Sequence, residues 1–277
     1  MAVDFTRDPV ILDSRGIATA YGGAHVLRSA FQPVFALDGG RLAQVASEAL
    51  LRCHAGDRPV PVARFFARVD RQDRPDIEAL VHRLHLVNAA AVLPSSCGVF
   101  VNFDPSLFAD CAAASAAIDG FATLADRLGF APPRIVCEIT EQESASEEAL
   151  AAFTGALRER GFRIAVDDFG AQSSDMRRVA ALRPDIVKLD QQWLWRLMDT
   201  RPGRSLITHM AGEFAALGIE TVFEGIEQPW QLDVAADCGA SMVQGFALAH
   251  PALAGEELAA PRFAAARSSE RASTVAA

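Results

Sequence analysis

Five carboxylates stand at the ends of short apolar segments that are spread along the chain. Glu48 closes VASE, Glu138 closes RIVCE, Asp167 and Asp168 close RIAVDD, and Glu224 closes ETVFE. Carboxylate oxygens suit Mg²⁺, Mn²⁺ or Ca²⁺ better than Zn²⁺. If a fold gathers them, they would repel one another strongly without cations. Adjacent Asp167 and Asp168 could then serve two metal ions with one shared carboxylate, which is the arrangement of two-metal phosphoester chemistry.

Three more polar side chains lie at similar positions: Asn102 in VFVNF, Lys188 in DIVKLD and Gln244 in MVQGF. Asn102 would add a hard oxygen ligand, and Lys188 could orient a water nucleophile or balance the charge of a transition state. Each residue alone has an ordinary explanation. A strand-end carboxylate usually caps a helix or forms a turn, a lone lysine can snorkel at the surface, and Asn102 fits a turn. The functional interpretation therefore requires a fold that brings these positions to one face.

Short segments rich in β-branched and aromatic residues alternate with alanine-rich amphipathic stretches. The predicted strands are Phe31–Phe35, Gln44–Glu48, Val99–Phe103, Arg134–Glu138, Arg163–Asp167, Asp185–Leu189, Glu220–Glu224 and Met242–Phe246. The clearest predicted helices are Asp76–Ala91, Ala116–Leu128, Ser146–Arg160, Gln191–Asp199, Arg204–Leu217 and Pro229–Cys238. Eight strands that alternate with helices predict an α/β fold, a TIM-like (β/α)8 barrel. Such barrels build their active sites at the carboxyl ends of the strands, which is where the polar residues fall.

The connection between the first two predicted strands departs from this pattern. Only Ala36–Leu42, centred on Asp38-Gly39-Gly40, separates them. This length suits a hairpin and is too short for the crossover that joins parallel strands. We therefore expect the first strand of the barrel to be antiparallel to the second.

The composition narrows the class of protein. The 277 residues include 26 lysines and arginines against 35 aspartates and glutamates, which gives a formal net charge of −9. This acidic excess argues against a nucleic-acid polymer as partner. Five cysteines without a close pair predict neither a disulfide framework nor a zinc site. The first residues lack the pattern of a secretory signal, and no apolar run reaches the length of a membrane span. We therefore expect no membrane partner and a cytoplasmic location.

The sequence Glu48-Ala49-Leu50-Leu51-Arg52 resembles the EALLR signature of the EAL domain, the family of bacterial cyclic di-GMP phosphodiesterases. Other motifs of that family stand in its order: FQPVF at 31–35, VNF at 101–103, EITE at 138–141, DDFG at 167–170, KLD at 188–190, EGIE at 224–227 and QGF at 244–246. The resemblance implies a TIM-like barrel whose first strand is antiparallel. We expect an N-terminal extension at residues 1–25, an EAL domain at residues 26–258 and a flexible tail at residues 259–277.

The resemblance also implies a role for each polar residue. The ligands of a first Mg²⁺ or Mn²⁺ ion would be Glu48, Asn102, Glu138 and Asp167, and those of a second ion would be Asp167, Asp168 and Glu224. Lys188, in contact with the nucleophilic water, and Glu224 would be the catalytic residues. The residues that contact or support the substrate would be Gln32, Arg52, Glu227 and Gln244. Glu141 would anchor the loop after the fifth barrel strand.

The implied reaction is hydrolysis of one phosphodiester bond of cyclic di-GMP to linear pGpG, in bacterial second-messenger signalling. The loop after the fifth strand departs from the family pattern, because Gln172 and Ser173 replace a glycine and an aromatic residue and Asp175 replaces a serine. In the family this loop couples the metal site to dimerisation. Three interpretations therefore stay open. The first is an active homodimeric phosphodiesterase, which a regulatory protein could control in trans. The second is a weak or silent EAL domain that binds cyclic di-GMP or a protein partner, and the third is a phosphodiesterase that acts on another cyclic dinucleotide or on pGpG.

Two pairs of residues outside these motifs have ordinary structural interpretations. His82 and His85 are three residues apart on a predicted helix, and without a third ligand we expect packed or surface histidines rather than a metal site. Trp193 and Trp195 are expected to anchor their helix to the barrel or to a partner subunit.

Overall fold

The computed structural model of the protein describes residues 9–38, 41–107, 111–139, 147–171 and 176–257. The strands in these ranges are β1 (Val10–Leu12), β2 (Ala18–Gly22), β3 (His25–Asp38), β4 (Arg41–Ala55), β5 (Arg58–Val60), β6 (Gly98–Phe103), β7 (Ile135–Ile139), β8 (Arg163–Phe169), β9 (Ile186–Leu189), β10 (Glu220–Phe223), β11 (Met242–Val243) and β12 (Ala252–Leu253). The α-helices are α1 (Val62–Phe66), α2 (Arg74–Val92), α3 (Cys111–Arg127), α4 (Glu147–Glu159), α5 (Met176–Leu182), α6 (Gln191–Met198), α7 (Arg201–Ala216) and α8 (Pro229–Asp237).

Eight of these strands close into a barrel. Their hydrogen-bonded order is β3-β11-β10-β9-β8-β7-β6-β4, and the pairing of β3 with β4 completes the circle. Neighbours are parallel except at β3, which is antiparallel to both β4 and β11. Asp38 pairs with Arg41 where β3 turns into β4, so the chain between them is too short for a crossover. The predicted TIM-like barrel and its antiparallel first strand are both confirmed.

One buried apolar residue from each barrel strand fills the interior of the barrel. This apolar layer consists of Val34, Ala46, Phe100, Val136, Ala165, Ile186, Val222 and Met242. Successive strand residues point to opposite faces of the sheet. The residues next to each member of the apolar layer along its strand therefore point outward and pack against the helices in a larger core. The apolar layer thus lies directly beneath the side chains that are closer to the carboxyl ends of the strands.

β3 and β4 continue beyond the barrel as a long ribbon with a core of its own. β1 and β2 extend this ribbon on one side and β5 on the other, while α1 and α2 cover it and bury Leu27, Phe65 and Ile77. Asn88 of α2 holds β2 in place, because its side chain accepts from the N–H of Ala18 at 2.7 Å and donates to the carbonyl of Ala18 at 3.0 Å. The sequence patterns predicted none of β1, β2, β5 and α1.

The six predicted helices are all present, as α2, α3, α4, α6, α7 and α8, with small differences at their ends. Helix α6 follows β9 directly, and Asp190 caps it by accepting a hydrogen bond from the N–H of Trp193 at 2.8 Å. None of the helices in the described ranges is both long enough and apolar enough to cross a membrane.

Candidate active site

One polar residue from each barrel strand contributes to a layer inside the barrel, and seven of these eight residues were predicted at strand ends. Each lies two residues from a member of the apolar layer, toward the carboxyl ends of the parallel strands, so the alternation of the strand points it inward. Glu224 and Gln244 directly follow β10 and β11, which end earlier than predicted, but their N–H groups still bond to the neighbouring strands. On β3, which is antiparallel, the step runs backward from Val34 to Gln32. We call this set the polar layer: Gln32, Glu48, Asn102, Glu138, Asp167, Lys188, Glu224 and Gln244.

Lys188 lies at the centre of the polar layer, and its side chain is only 2% exposed. Its Nζ is 2.6 Å from Glu138 Oε1, 2.8 Å from Glu224 Oε1, 3.1 Å from Asp167 Oδ1 and 3.7 Å from Glu48 Oε2. Lys188 is also the only lysine of the chain, which otherwise relies on arginine for fixed positive charge. A compact ammonium can contact several carboxylates at once, whereas a planar guanidinium has a fixed fork of donors. The interpretation of Lys188 as a snorkelling surface residue is therefore wrong.

Burial and mutual repulsion shift the pKa values of these groups. Burial raises the pKa of Glu138 well above its usual range; Lys188 opposes the shift, and Glu48 and Asp167 add to it. Burial also raises the pKa of Glu224 to about 8, again against the effect of Lys188. Burial alone would lower the pKa of Lys188, but the surrounding carboxylates hold it well above its ordinary value. A single ammonium faces more carboxylates than it can neutralise, so the polar layer favours additional cations.

Three carboxylates at the polar layer are close enough to share a metal ion. One oxygen each of Asp167, Asp168 and Glu224 lies within 4.8 Å of the other two. The register of β8 against β9 shifts between Val166 and Phe169, and Asp168 has a left-handed φ of 53°. This bulge explains how two consecutive aspartates reach one site, although consecutive strand residues otherwise face opposite ways. Aspartate is one of the few residues that tolerate this backbone conformation.

The chemistry of the donors fits a hard divalent cation rather than Zn²⁺. The polar layer offers carboxylates and the amide of Asn102, and it contains no thiolate or imidazole. Glu138 Oε2 is buried without a hydrogen-bond donor. A buried carboxylate oxygen of this kind is costly unless a cation or a donor meets it. The residues present therefore fit a site for hard divalent cations.

A cavity of about 220 Å³ adjoins the polar layer. The predicted site residues that line it are Gln32, Glu48, Asp168, Glu224, Glu227 and Gln244. Gln244 Nε2 donates to Glu48 Oε2 at 2.8 Å and so fixes the direction of that carboxylate. The family resemblance implied substrate contact or support for Gln32, Glu227 and Gln244, and these residues share one cavity with Glu48, Asp168 and Glu224. Arg52, for which the resemblance implied the same, does not line this cavity.

Arg52 lines a second and larger cavity, of about 510 Å³, which Asn102 also lines. This cavity lies between β4, α1, α2 and the segment that follows β6, and it is bordered by Glu78, His82 and His85 of α2. A pocket of this size, beside side chains that could bind a metal ion, is large enough to hold part of a substrate.

Glu78 is a candidate site residue that the sequence analysis missed. Its Oε1 accepts from the N–H of Asp104 at 2.9 Å, while its Oε2 is buried without a donor. Burial raises the pKa of Glu78 to about 8. Glu78, His82 and His85 follow the i, i+4, i+7 spacing of one helix face, and this polar stripe is the sequence signal that could have identified Glu78.

The two histidines are packed, as expected. His82 Nε2 donates to the carbonyl of Asn102 at 2.8 Å, and His85 Nδ1 is hydrogen-bonded to Ser29 Oγ at 2.8 Å. Burial lowers the pKa of His82 to about 4 and that of His85 to about 3, so both rings are neutral near pH 7. Their hydrogen bonds support the segments around the larger cavity.

The expected anchoring of α6 to the barrel is also confirmed. Trp193 packs across Gly170, where a Cβ atom would lie 2.6 Å from the indole ring, and it meets Phe169 edge to face. Trp195 Nε1 donates to the carbonyl of Gly225 at 2.8 Å.

Several predictions concern residues outside the described ranges. They are Glu141, the loop residues Gln172, Ser173 and Asp175, and the tail at 259–277. The anchoring of the loop after β8, a homodimer built through that region and control by a regulatory protein therefore stay predictions.

A family model described as EAL domain matches residues 23–251 of the chain. Among curated proteins, the cyclic di-GMP phosphodiesterase RocR of Pseudomonas aeruginosa is 27% identical over 227 residues, which make up 80% of this chain and 56% of RocR. The chain spans 16%, 29% and 56% of three curated relatives that it matches. The chain thus corresponds to about half of the length of RocR and to less than a third of the length of the other two relatives.

Two solved structures have a similar fold. One is the Bacillus subtilis protein YkuI, with an EAL domain, in complex with cyclic di-GMP and calcium; its TM-score is 0.71 at 24% identity, over 84% of this chain and 57% of YkuI. The other is the manganese and cyclic di-GMP complex of BlrP1 from Klebsiella pneumoniae, with a TM-score of 0.67 at 22% identity, over 82% of this chain and 56% of BlrP1.

Proposed function

The chain belongs to the EAL domain family, and we propose that it is a metal-dependent phosphodiesterase that hydrolyses cyclic di-GMP to linear pGpG. The observation that carries this proposal is the polar layer, in which carboxylates surround the single lysine inside the barrel. The name of RocR states the same activity for a relative that aligns with 80% of the chain. The similar chains of YkuI and BlrP1 bind cyclic di-GMP together with a divalent cation.

Two Mg²⁺ or Mn²⁺ ions are proposed to complete the site. The first would be held by Glu48, Asn102, Glu138 and Asp167, and the second by Asp167, Asp168 and Glu224. Bound ions of this kind polarise phosphoryl oxygens and lower the pKa of a bound water. They also reconcile the net charge of −9 with an anionic substrate, because cations make an acidic pocket attractive to phosphate.

The residues of the polar layer would have distinct tasks in the hydrolysis. The reaction joins the oxygen of water to phosphorus and breaks the bond from phosphorus to the 3′ oxygen, which takes a proton and becomes a hydroxyl of pGpG. Lys188, which its carboxylate neighbours keep protonated, would direct an N–H toward the attacking water or a phosphoryl oxygen, where negative charge develops. Gln244 would keep Glu48 aimed at the metal site through its 2.8 Å hydrogen bond.

The two cavities would divide the substrate between them. The smaller cavity, at the carboxylates, would hold the phosphodiester that is cleaved, in reach of Gln32 and Glu227. The larger cavity has room for a guanine base, and Arg52 on its wall is suited to a phosphate oxygen of the dinucleotide. In this arrangement Asn102 lies between the base and the metal site.

The proposal is tested by incubating the protein with cyclic di-GMP and Mn²⁺ and separating the nucleotides. We expect pGpG as the product, none when a chelator removes the metal, and less when Ca²⁺ replaces Mn²⁺, because the looser coordination of calcium fits this chemistry poorly. Binding of cyclic di-GMP without any product under metal-replete conditions would overturn the enzyme proposal. That outcome would favour the alternative of a cyclic di-GMP receptor.

Glu78 is proposed to recognise the guanine in the larger cavity. Its Oε2 is buried without a donor, and the ring N–H and the amino group of guanine are donors that match a carboxylate. Hydrogen bonds to the charged form would lower the raised pKa of Glu78 and favour its ionised state in the complex.

Replacing Glu78 with glutamine is expected to raise the KM for cyclic di-GMP about 10-fold with little change in kcat, since a buried donor or acceptor left unpaired typically costs 1–3 kcal/mol. The amide oxygen would keep the contact with Asp104, and its NH₂ group would oppose the donors of guanine. Steady-state kinetics measures the effect, with Glu213→Gln on the exposed face of α7 as the matched control. An unchanged KM would remove Glu78 from the base site.

A further inference from the structure

Helix α6 contacts the loop that joins β10 to α8, residues 224–228. This loop carries Glu224 and Glu227 on either side of Gly225 and Ile226. Gly225 has a left-handed φ of 68°, and a Cβ atom there would lie 2.1 Å from Gln191 Cγ. The first turn of α6 therefore packs directly on the backbone of the loop, and only glycine leaves space for it.

Two side chains of α6 make polar contacts with the same loop. Trp195 Nε1 donates to the carbonyl of Gly225 at 2.8 Å. Gln191 Nε2 donates to Glu227 Oε1 at 3.3 Å, and Gln191 also lines the smaller cavity. One contact is with the backbone next to Glu224 and the other is with the side chain of Glu227. Both come from a single helix, which is itself held by the Asp190 cap and by the packing of Trp193 on Gly170.

We infer that Trp195 and Gln191 are positioning residues: Trp195 fixes the backbone that aims Glu224 at Asp167 and Asp168, and Gln191 orients Glu227 toward the substrate. The inference rests on the proposed function and extends it to residues that lie outside the polar layer. Glu224 directly follows β10, and its N–H donates to the carbonyl of Leu189 at 3.4 Å, at the long end of the range for such a bond. The ladder therefore holds this end of the loop less closely than it holds the strand. The indole N–H fixes the next carbonyl along the chain, which restricts the rotation of that peptide.

Trp195→Phe keeps an aromatic ring and removes the N–H donor. We expect the affinity for Mn²⁺, measured by electron paramagnetic resonance of free Mn²⁺ without substrate, to fall about 5- to 20-fold, within the range seen when partners of metal ligands are removed. At saturating Mn²⁺ the KM for cyclic di-GMP should stay within about 2-fold, because Glu227 keeps its contact with Gln191. Trp230→Phe is the control, since Trp230 is 41% exposed on α8.

Gln191→Leu tests the other contact and keeps the side-chain stem that packs on Gly225. We expect the opposite pattern: the KM for cyclic di-GMP rises about 3- to 5-fold, as for loss of one exposed hydrogen bond, while the affinity for Mn²⁺ is unchanged. Thermal unfolding of each variant shows whether the variant has lost structure in general. A general loss of structure would lower the affinity for Mn²⁺ and raise the KM for cyclic di-GMP in the same variant.

The role of Trp195 would be overturned if Trp195→Phe bound Mn²⁺ as tightly as wild type. It would also be overturned if Trp230→Phe lowered the affinity for Mn²⁺ to the same extent as Trp195→Phe. If Trp195→Phe does not fold, Gln191→Leu decides, and a KM equal to that of wild type would overturn the inference. A wild-type protein that binds Mn²⁺ and cyclic di-GMP but forms no pGpG would overturn the proposed function alone. The Mn²⁺ titrations would still judge the positioning role in that case.

Discussion

Replacement of Lys188 by alanine is expected to abolish hydrolysis and to destabilise the metal-free protein. Lys188 supplies the positive charge of the polar layer, and its removal leaves Glu48, Glu138, Asp167 and Glu224 facing one another. Loss of one partner from a buried ion pair typically lowers the free energy of unfolding by about 3–5 kcal/mol. Loss of a donor that stabilises developing charge typically lowers kcat about 10²- to 10³-fold. Binding of cyclic di-GMP in the presence of Mn²⁺ should be largely kept.

Chemical denaturation in chelator and in Mn²⁺ measures the first effect, and single-turnover hydrolysis measures the second. Mn²⁺ should recover much of the lost stability of Lys188→Ala, because cations bound to the folded state supply the missing charge. Arg163→Ala is the matched control: Arg163 stands at the opposite end of the barrel, pairs with the exposed Glu220, and should change stability by less than about 1 kcal/mol. Equal losses of substrate binding and of hydrolysis would instead give Lys188 a purely structural role.

The polar layer was largely predictable because the parallel strands of a barrel share one direction. Glu48, Glu138 and Lys188 each follow an apolar residue of their own strand by two positions, so the pattern at each strand end reports the same depth in the barrel. Gln32 escaped this pattern and was identified only through the family motif. Its strand is antiparallel, so the residue at the same depth comes before Val34 instead of after an apolar run.

The parts of the fold that escaped prediction depend on distant partners. β2 is a strand because it pairs with β3 and because Asn88, 70 residues away, binds both the N–H and the carbonyl of Ala18. Neither contact leaves a local pattern, and small residues such as Ala18 and Ala20 carry little strand preference. Glu78 was missed for a related reason, since its burial depends on the packing of α2 against the segment after β6. Adjacent aspartates were visible in the sequence, but the bulge that turns Asp167 and Asp168 to one site was not.

Replacement of Glu48 by alanine is expected to abolish turnover as well, for a different reason. Glu48 stands on β4, three strands around the barrel from both β8 and β10, and its carboxylate is proposed as a ligand of the first metal ion. Its loss also removes the acceptor for Gln244 Nε2, 2.8 Å away, and so disturbs a second wall of the smaller cavity. We expect the affinity for Mn²⁺ to fall by at least the 10- to 100-fold that loss of an outer-shell partner typically costs.

Glu48→Gln separates charge from shape in this test. Glutamine keeps the volume of the side chain and an oxygen for Gln244, but it lacks the negative charge that binds a cation and attracts Lys188, 3.7 Å away. Both variants should therefore lose turnover, measured as pGpG formed at saturating Mn²⁺, whereas Glu220→Gln, at the other end of the barrel, should retain it. Full activity in Glu48→Ala would remove Glu48 from the metal site. Activity in Glu48→Gln alone would mean that Glu48 acts through its contact with Gln244 and not as an anionic ligand.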